Sequence, residues 1–390
     1  MRWPNSWRKN SEVMGFPVEL LPVLRELIAG EQSFSCDGAL CAELERFHLG
    51  PLAYFRSGGK LPAPWRRQFC GQFRQQAGNA LRQQFAFGQL TAMLEENRIR
   101  FTPIKGVDLA FRVYPVPGLR PFCDWDIWIH PDDCARIRDV LKRDGWSCEL
   151  EAIADHHFAV RRKNDFCLEP HFTLPNFNGI PVRELWKECI PIQEGACRHV
   201  LSPELNLLLL YRHNNIDFFR KSNLPKLLTD LGFLLKSSRI NWEKLARLCR
   251  SFRCGSPELL FQAFPEFFPK AAKPEEKHSA EAARALRSIL LAPPQFEAYE
   301  LIMNARHRFS REWWETRLRC LRPDNVRLKY QRQNQSGNFA LFYCHDFLKK
   351  LYNSVLFSAQ SSSAELAEFQ NKLEKIEYFS SAVPNHSRQK

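Results

Sequence analysis

The sequence FTPIKGVDLAFRVYPVPGLRPFCDWDIWIH occupies residues 101–130 and contains the pattern from which we predict the fold. Its apolar, glycine and proline positions predict a short strand, a turn at Lys105-Gly106, one helix, a loop and a second strand. The helix is predicted after Gly106 because apolar residues follow at the spacing of one helical face: Val107, Ala110, Phe111 and Tyr114. This stretch therefore predicts a strand–helix–strand unit.

Two aspartates lie in the second of these strands. Asp124 and Asp126 alternate with large or apolar residues: Cys123, Trp125, Ile127 and Ile129. Because side chains alternate between the two faces of a strand, both carboxylates are expected on one face. Two negative charges about 4 Å apart repel by roughly 4 kcal/mol at an effective dielectric constant of about 20. We therefore expect a cation between them, and Mg²⁺ suits carboxylate oxygens while leaving room for water and phosphate.

A third acidic residue occurs in a later strand-like stretch at residues 166–171. Glu169 and His171 lie on one face of this stretch, opposite two apolar residues. If the two strands are neighbours, Glu169 joins Asp124 and Asp126. Three carboxylates that hold one or two metal ions beside a glycine turn are typical of nucleotidyl transfer. We therefore take these three acids as candidate metal-binding and catalytic residues.

Positive groups near the glycine turn form a candidate phosphate site. A helix that begins at Gly106 would present backbone N–H groups to a phosphate, and glycine allows a close backbone approach. Lys105 adds a point charge. Arg120 is expected either to neutralise phosphate or to pair with one of the strand aspartates. His171 is expected to orient Glu169 or touch phosphate, unless its role is purely structural.

In their order along the chain, these motifs resemble the uncharacterised nucleotidyltransferase-like proteins of the polymerase-beta superfamily. The shared order is Lys-Gly, a tyrosine and an arginine before Asp-x-Asp, then Glu-x-His, a histidine, an aspartate and Asn-Trp. The matching residues here are Lys105-Gly106, Tyr114, Arg120, Asp124, Asp126, Glu169, His171, His213, Asp230 and Asn241-Trp242. The resemblance covers roughly residues 80–255.

The resemblance implies an α+β fold, in which a small mixed sheet with flanking helices lies between N-terminal and C-terminal helical regions. It implies Mg²⁺ or Mn²⁺ on the three acids. It implies that an NTP such as ATP contacts Lys105, Gly106 and Arg120. The auxiliary residues that it implies are His171, His213 and Asp230.

The sequence departs from the pattern of that superfamily in three places. The wider superfamily has Gly-Ser where this chain has Lys105-Gly106, and it has a shorter gap to the first aspartate, without the loop at residues 115–118. Pro170 follows the third acid, where the family usually has an aliphatic residue. Because proline cannot donate to a ladder, we expect this strand to be an edge or to end there. That leaves the placement of Glu169 open.

The pattern along the chain predicts several regions. They are an N-terminal helical region at 1–98, the core at 99–200, a helical domain at 201–308, a helical extension at 309–380 and a disordered tail at 381–390. Helices are predicted within the first region at 16–30, at 37–55 with a break at Pro51, and at 62–97.

The formal net charge is +13 and the isoelectric point is about 9.2. Such a balance favours anionic partners, including nucleotides, RNA, DNA or a membrane surface, although many proteins are equally basic without such a partner. The polar face of the 62–97 helix carries four arginines, and so either binds nucleic acid or is simply solvated: Arg66, Arg67, Arg74 and Arg82. Arginines interleaved with tryptophans at 310–335 leave the same two readings open.

The thirteen cysteines contain no CxxC pair, so a zinc site is not expected. No apolar leader follows Met1, and no run has the length of a membrane span. These features predict a cytoplasmic protein with reduced, mostly buried thiols.

The predicted reaction is transfer of an NMP group from an NTP to an acceptor hydroxyl, with release of pyrophosphate. The acceptor is open between a protein side chain, a small molecule and an RNA 3′ end. Three alternatives remain: an inactive module of the same fold that binds nucleotide or nucleic acid, a phosphohydrolase that uses the same acids, and a structural protein. Replacing Asp126 with alanine is expected to abolish metal-dependent activity and even to gain stability, because repulsion between the aspartates would be removed.

Overall fold

A computed structural model describes residues 16–30, 36–150, 157–162, 166–175, 177, 180–217, 224–252, 256–269, 277–292, 368 and 370–376. The arginine- and tryptophan-containing stretch at 310–335, most of the extension at 309–380 and the tail at 381–390 lie outside the described residues. The division of the chain into domains stays a prediction.

Four helices precede the sheet, as the sequence predicted. They are α1 (Leu20–Ala29), α2 (Gly38–Arg46), α3 (Gly50–Arg56) and α4 (Ala63–Glu96). Helix α1 ends at Gly30, whose φ of 83° is the left-handed conformation that glycine adopts without a Cβ clash. The Asp37 side chain caps α2 by accepting from the Leu40 N–H at 2.8 Å. Pro51 lies in the first turn of α3, so the predicted break at this proline is confirmed.

The main sheet has five strands in the order β1-β2-β5-β4-β3. They are β1 (Phe101–Pro103), β2 (Asp124–Ile129), β3 (Ser147–Leu150), β4 (Ala159–Arg161) and β5 (Cys167–His171). Strand β2 pairs parallel with β5, while the other neighbours are antiparallel. This confirms the small mixed sheet. A two-stranded sheet of β6 (Cys189–Pro191) and β7 (His199–Leu201) lies beside β1.

The connection from β1 to β2 differs from the single helix that was predicted. It contains α5 (Lys105–Asp108), then a π turn at Leu109–Val113 and a 3₁₀ turn at Pro117–Leu119. The N–H of Tyr114 bonds to the carbonyl of Leu109 at 2.9 Å, an i to i+5 bond that widens the helix.

Seven further helices complete the described fold. They are α6 (Cys134–Arg143), α7 (Val182–Trp186), α8 (Pro203–Asp217), α9 (Leu224–Ser237), α10 (Trp242–Ser251), α11 (Glu258–Ala263) and α12 (Lys277–Leu291). One apolar cluster extends from α1 through α8 and α9 to α12. Among the described residues, no helix combines the length and the apolar character needed to cross a membrane.

Strand β2 separates two apolar clusters, because its side chains alternate. Trp125, Ile127 and Ile129 pack into a cluster that includes residues of α4 and α6. Trp128, on the opposite face, joins the larger cluster. The aspartates of β2 share the face of Trp128, so the site lies on the side where the helices after the sheet pack.

Of the two alternatives predicted for Pro170, an edge strand is wrong, because β5 lies between β2 and β4, whereas an end of the strand is correct to within one residue, because β5 ends at His171. The carbonyl of Pro170 accepts from the N–H of Phe158 at 3.3 Å. The nitrogen of Pro170 faces the same side, since N and O of one strand residue point to the same neighbour. Strand β4 begins at Ala159, so the missing N–H falls beyond the β4–β5 ladder. Proline is tolerated there because no bond to β2 is lost.

Two glycines provide a matched test of how α4 meets the connection before β2. A Cβ on Gly118 would come within 2.8 Å of the Ala77 Cα on α4, whereas a Cβ on Gly78 would meet nothing within 4 Å. Gly118→Ala should therefore lower the free energy of unfolding by about 1–3 kcal/mol through overpacking. Gly78→Ala should raise it by up to about 1 kcal/mol through helix propensity. Urea unfolding of both variants measures the difference, and equal effects would contradict the close approach.

Candidate active site

The parallel pairing of β2 with β5 brings the predicted acids together. Asp126 and Glu169 are direct Cα partners in the ladder, and neighbouring strands lie about 4.8 Å apart. Asp124 is two residues before Asp126 and His171 is two residues after Glu169, so all four side chains lie on one face. The alternation of both strands and their register therefore assemble an acidic cluster with a histidine at its end.

Asp126 is the most buried of the three acids and is held by two partners. Its Oδ1 lies 2.8 Å from Lys105 Nζ and 2.7 Å from His171 Nε2. Burial opposes ionisation, but the hydrogen bond from His171 and the charge of Lys105 outweigh it and lower the pKa of Asp126 to about 2. Burial lowers the pKa of His171 to about 4, against the effect of Asp126. Lys105 thus already places a positive charge at the acidic cluster.

Lys105 and His171 are bonded to Asp126, so they do not neutralise the charges of Asp124 and Glu169. Burial and the charge of Asp126 raise the pKa of Asp124. Burial, followed by Asp126 and Asp124, raises the pKa of Glu169 to about 7. Both shifts have the sign that repulsion among carboxylates and loss of water produce. A bound divalent cation would relieve both.

Gly106 is required at the turn because two side chains, those of Phe122 and Arg120, approach its backbone closely. A Cβ on Gly106 would lie 2.9 Å from Phe122 Cβ and 3.0 Å from Arg120 Nη1. Lys105 before it has a φ of 53°, in the left-handed region. Helix α5 continues directly into the π turn at Leu109–Val113, so a helix N-terminus does lie at the position where a phosphate-binding terminus was expected.

Arg120 pairs with neither strand aspartate, in contrast to one of the two predicted roles. Its Nε and Nη2 donate to the two carboxylate oxygens of Asp230 at 3.1 and 2.9 Å. Tyr114 donates its hydroxyl to the same carboxylate at 2.7 Å. All three groups are buried, and the guanidinium fork matches a carboxylate better than a single contact would. Asp230 therefore fixes the position of the Arg120 guanidinium beside the candidate site.

Lys226 is an exposed positive residue that sequence reasoning missed, and its charge interacts with those of Arg120 and Asp124. It lies on α9, one helical turn before Asp230. The positive charge of Arg120 lowers the pKa of Lys226, while the charges of Asp230 and Asp124 raise it. The i, i+4 spacing to Asp230 was the available signal. It could be used only once the partner of Asp230 was known.

Three further motif residues, Asn241, Trp242 and His213, lie on or next to the helices that follow the sheet. Asn241 caps α10 by accepting from the N–H of Lys244 at 2.9 Å, and its own N–H donates to Glu204 at 2.8 Å. Trp242 is the first residue of α10. His213 lies half-buried on α8. Asn241 therefore joins the start of α10 to α8, and the role of His213 as an auxiliary residue stays a prediction.

His157 also lies beside the acidic cluster. Its Nε2 is 3.6 Å from Glu169 Oε2, and its ring stacks on His171 with centroids 4.9 Å apart. The structure places it directly before β4, against β5.

The arginine-bearing face of α4 borders a surface cavity of about 640 Å³ between α3 and α4. Its lining includes Tyr54, Phe55, Arg66, Arg67 and Arg74. Arginines with aromatic side chains suit a nucleic acid, and an exposed, solvated face has the same composition. Both readings therefore stay open.

The partners of Asp126 reverse the predicted effect of its removal on stability. Asp126→Ala would leave Lys105 and His171 without this carboxylate in a mostly buried setting, which costs about 3–5 kcal/mol for a broken buried pair. Asp124→Asn keeps these contacts and removes repulsion, so its free energy of unfolding should equal or exceed that of the wild type. Urea unfolding in a chelator compares the two variants. A more stable Asp126→Ala protein would contradict the pairing.

The raised pKa of Glu169 predicts a pH-dependent stability difference. Between its ordinary pKa of 4.5 and about 7, the folded protein binds more protons than the unfolded chain, so stability falls as the pH rises. Glu169→Gln lacks this loss and should become the more stable protein above pH 7. The difference should be at most about 3 kcal/mol, because 24% of the side chain is exposed. Thermal unfolding in a chelator at pH 4.5 and 8 measures it, and a constant difference would contradict the shift.

Comparison with known proteins gives one family match. Residues 45–266, more than half of the chain, match the family described as "Uncharacterised nucleotidyltransferase". No curated protein and no solved structure was found to match the chain. The matched residues include the whole acidic cluster and its partners on α9. The chain belongs to this family of uncharacterised nucleotidyltransferases.

Proposed function

We propose that the protein is a metal-dependent nucleotidyltransferase that moves an NMP group from an NTP to an acceptor hydroxyl and releases pyrophosphate. Membership of a nucleotidyltransferase family supports a general role in nucleotidyl transfer. The observation that carries the finer proposal is the common face of Asp124, Asp126 and Glu169 on two parallel strands. A cytoplasmic location is part of the proposal, and the free thiols of nine of the described cysteines support it.

The donor set fits a hard divalent cation. Asp124, Asp126 and Glu169 offer carboxylate oxygens, which Mg²⁺ prefers and Mn²⁺ also accepts. The ammonium of Lys105, 2.8 Å from Asp126, supports a preference for positive charge at this place. When bound by these acids, the ion would neutralise charge on the triphosphate and hold it in line for attack.

The surrounding side chains have distinct roles in this proposal. Lys105 and Lys226 neutralise phosphate charge, while Gly106 keeps the backbone close to the start of β2. Arg120 is held by Asp230 and packs against Gly106, so it keeps this glycine in position. Such alignment and charge neutralisation account for most of the catalysis of phosphoryl transfer.

Glu169 has two alternative roles under this proposal. It either completes the metal-binding set or accepts the proton of the acceptor hydroxyl. A pKa of about 7 suits a general base that works near neutral pH. His171 then acts on Asp126, to which it is hydrogen-bonded, rather than on substrate.

The main alternative is an inactive module of the same fold that binds a nucleotide or nucleic acid. The cavity between α3 and α4, with its three arginines, is the observation that favours a nucleic-acid partner. An inactive module would have no need to keep three repelling carboxylates on one face. That argument favours the enzyme.

Incubation with each α-³²P-labelled NTP, Mg²⁺ and cell lysate tests the proposal. We expect label to enter one acceptor with release of pyrophosphate, and Asp124→Asn to abolish labelling while the protein stays folded. Release of inorganic phosphate would indicate a phosphohydrolase instead. NTP binding without any labelling would favour the inactive module.

The same assay tests Lys226. Lys226→Ala should raise the KM for the NTP by about tenfold or more, because a phosphate contact is lost, a difference of about 1.4 kcal/mol. Lys142→Ala removes an exposed lysine on α6 and serves as the control for a change of charge. Equal KM values for both variants would remove Lys226 from the site.

A further inference from the structure

Two imidazoles border the acidic cluster on the side of β4. Potential ligand atoms of His157, Glu169 and His171 all lie within 4.8 Å of one another. The exposed fractions of these side chains are 19%, 24% and 1%. The three side chains therefore form a compact, half-enclosed group of two nitrogen donors and one carboxylate.

The backbone brings these residues together from two strands. Glu169 and His171 lie two residues apart in β5, so their side chains share a face. His157 forms an antiparallel bridge with His171, directly before β4. The stacked rings, at an interplanar angle of 30°, keep His157 beside Glu169. The arrangement thus follows from strand pairing and not from the conformation of one side chain.

This donor set differs in chemistry from the carboxylates beside it. Mg²⁺ prefers oxygen ligands and keeps several waters. Imidazole nitrogens suit transition metals such as zinc, cobalt and iron. Two histidines with one glutamate form one of the three-ligand sets that hold catalytic zinc and leave a coordination position open.

We propose that His157, Glu169 and His171 bind a transition-metal ion of the Zn²⁺ class next to the Asp124–Asp126 pair. Binding of this ion to the three side chains does not depend on nucleotidyl transfer. Its assignment as the second metal position of the site rests on the proposed function. The site would then hold two unlike ions, an oxygen-bound one at β2 and a nitrogen-bound one at β5.

Asp126 connects the two positions. His171 Nε2 lies 2.7 Å from Asp126 Oδ1, so an ion held by His171 would lie close to Asp126 and compete with this hydrogen bond. Occupation of the β5 position therefore changes the charge that Asp126 presents to a cation at β2.

Cobalt binding to the full-length, tag-free protein after chelation tests the proposal. Co²⁺ occupies zinc sites, and its visible absorption reports ligand number and type. We expect one equivalent to bind with strong visible bands that excess Mg²⁺ does not remove. His157→Phe keeps an aromatic ring in the stack but lacks the nitrogen, and should weaken Co²⁺ binding by about tenfold or more. Glu169→Gln should act in the same direction.

Two further variants serve as controls. Asp124→Asn changes the acid pair, and His199→Gln removes a histidine whose Nδ1 lies 2.9 Å from the carbonyl of Cys197. His199→Gln should bind Co²⁺ as the wild type does, and Asp124→Asn should keep the Co²⁺ bands that His157→Phe weakens. Circular dichroism before titration verifies that every variant is folded.

Three results would overturn the proposal: no Co²⁺ bands in the wild type, unchanged binding by both His157→Phe and Glu169→Gln, or loss of binding in Asp124→Asn. The third would place the ion on the acid pair. Failure of the proposed function gives a different result, because labelling by NTP would be absent while the Co²⁺ spectrum stays intact.

Discussion

A parallel ladder joins β2 to β5 and sets Asp126 beside Glu169. Because side chains alternate with a period of two, a slip of one residue would turn Glu169 and His171 to the other face and bring Leu168 among the acids. Leu168 is fully buried in the apolar cluster opposite the site, which opposes that slip. The packing of one face of the sheet therefore maintains the chemistry of the other.

Charge in this cluster is balanced unequally. Asp126 has Lys105 and His171 as partners and stays ionised to a low pH, whereas burial and mutual repulsion raise the pKa of Asp124 and of Glu169. A protein that needed only stability would not keep two such acids on a half-buried face, since replacing them by apolar residues would remove the cost. This imbalance is the physical argument for a cation and a function at this position.

The helices after the sheet belong to the site as much as the strands do. Arg120, just before β2, reaches Asp230 on α9 and also lies against Gly106. The pair thus joins the turn after β1, the start of β2 and a helix far along the chain. Lys226 comes to the site as a consequence of this connection. Breaking a buried ion pair costs more stability than the pair contributes. Replacing Arg120 or Asp230 alone would therefore destabilise the fold.

Local patterns in the sequence determined the elements and which side chains share a face. The alternation in residues 123–129 placed both aspartates together, Gly30 and Pro51 marked helix boundaries, and the ordered motifs identified the family. Tertiary structure alone decided that Arg120 pairs with Asp230, 110 residues away, that Pro170 fits inside a central strand and that His157 lies against His171. The reason is that periodicity and turn chemistry act over a few residues, whereas the partner of a buried charge depends on which elements pack together.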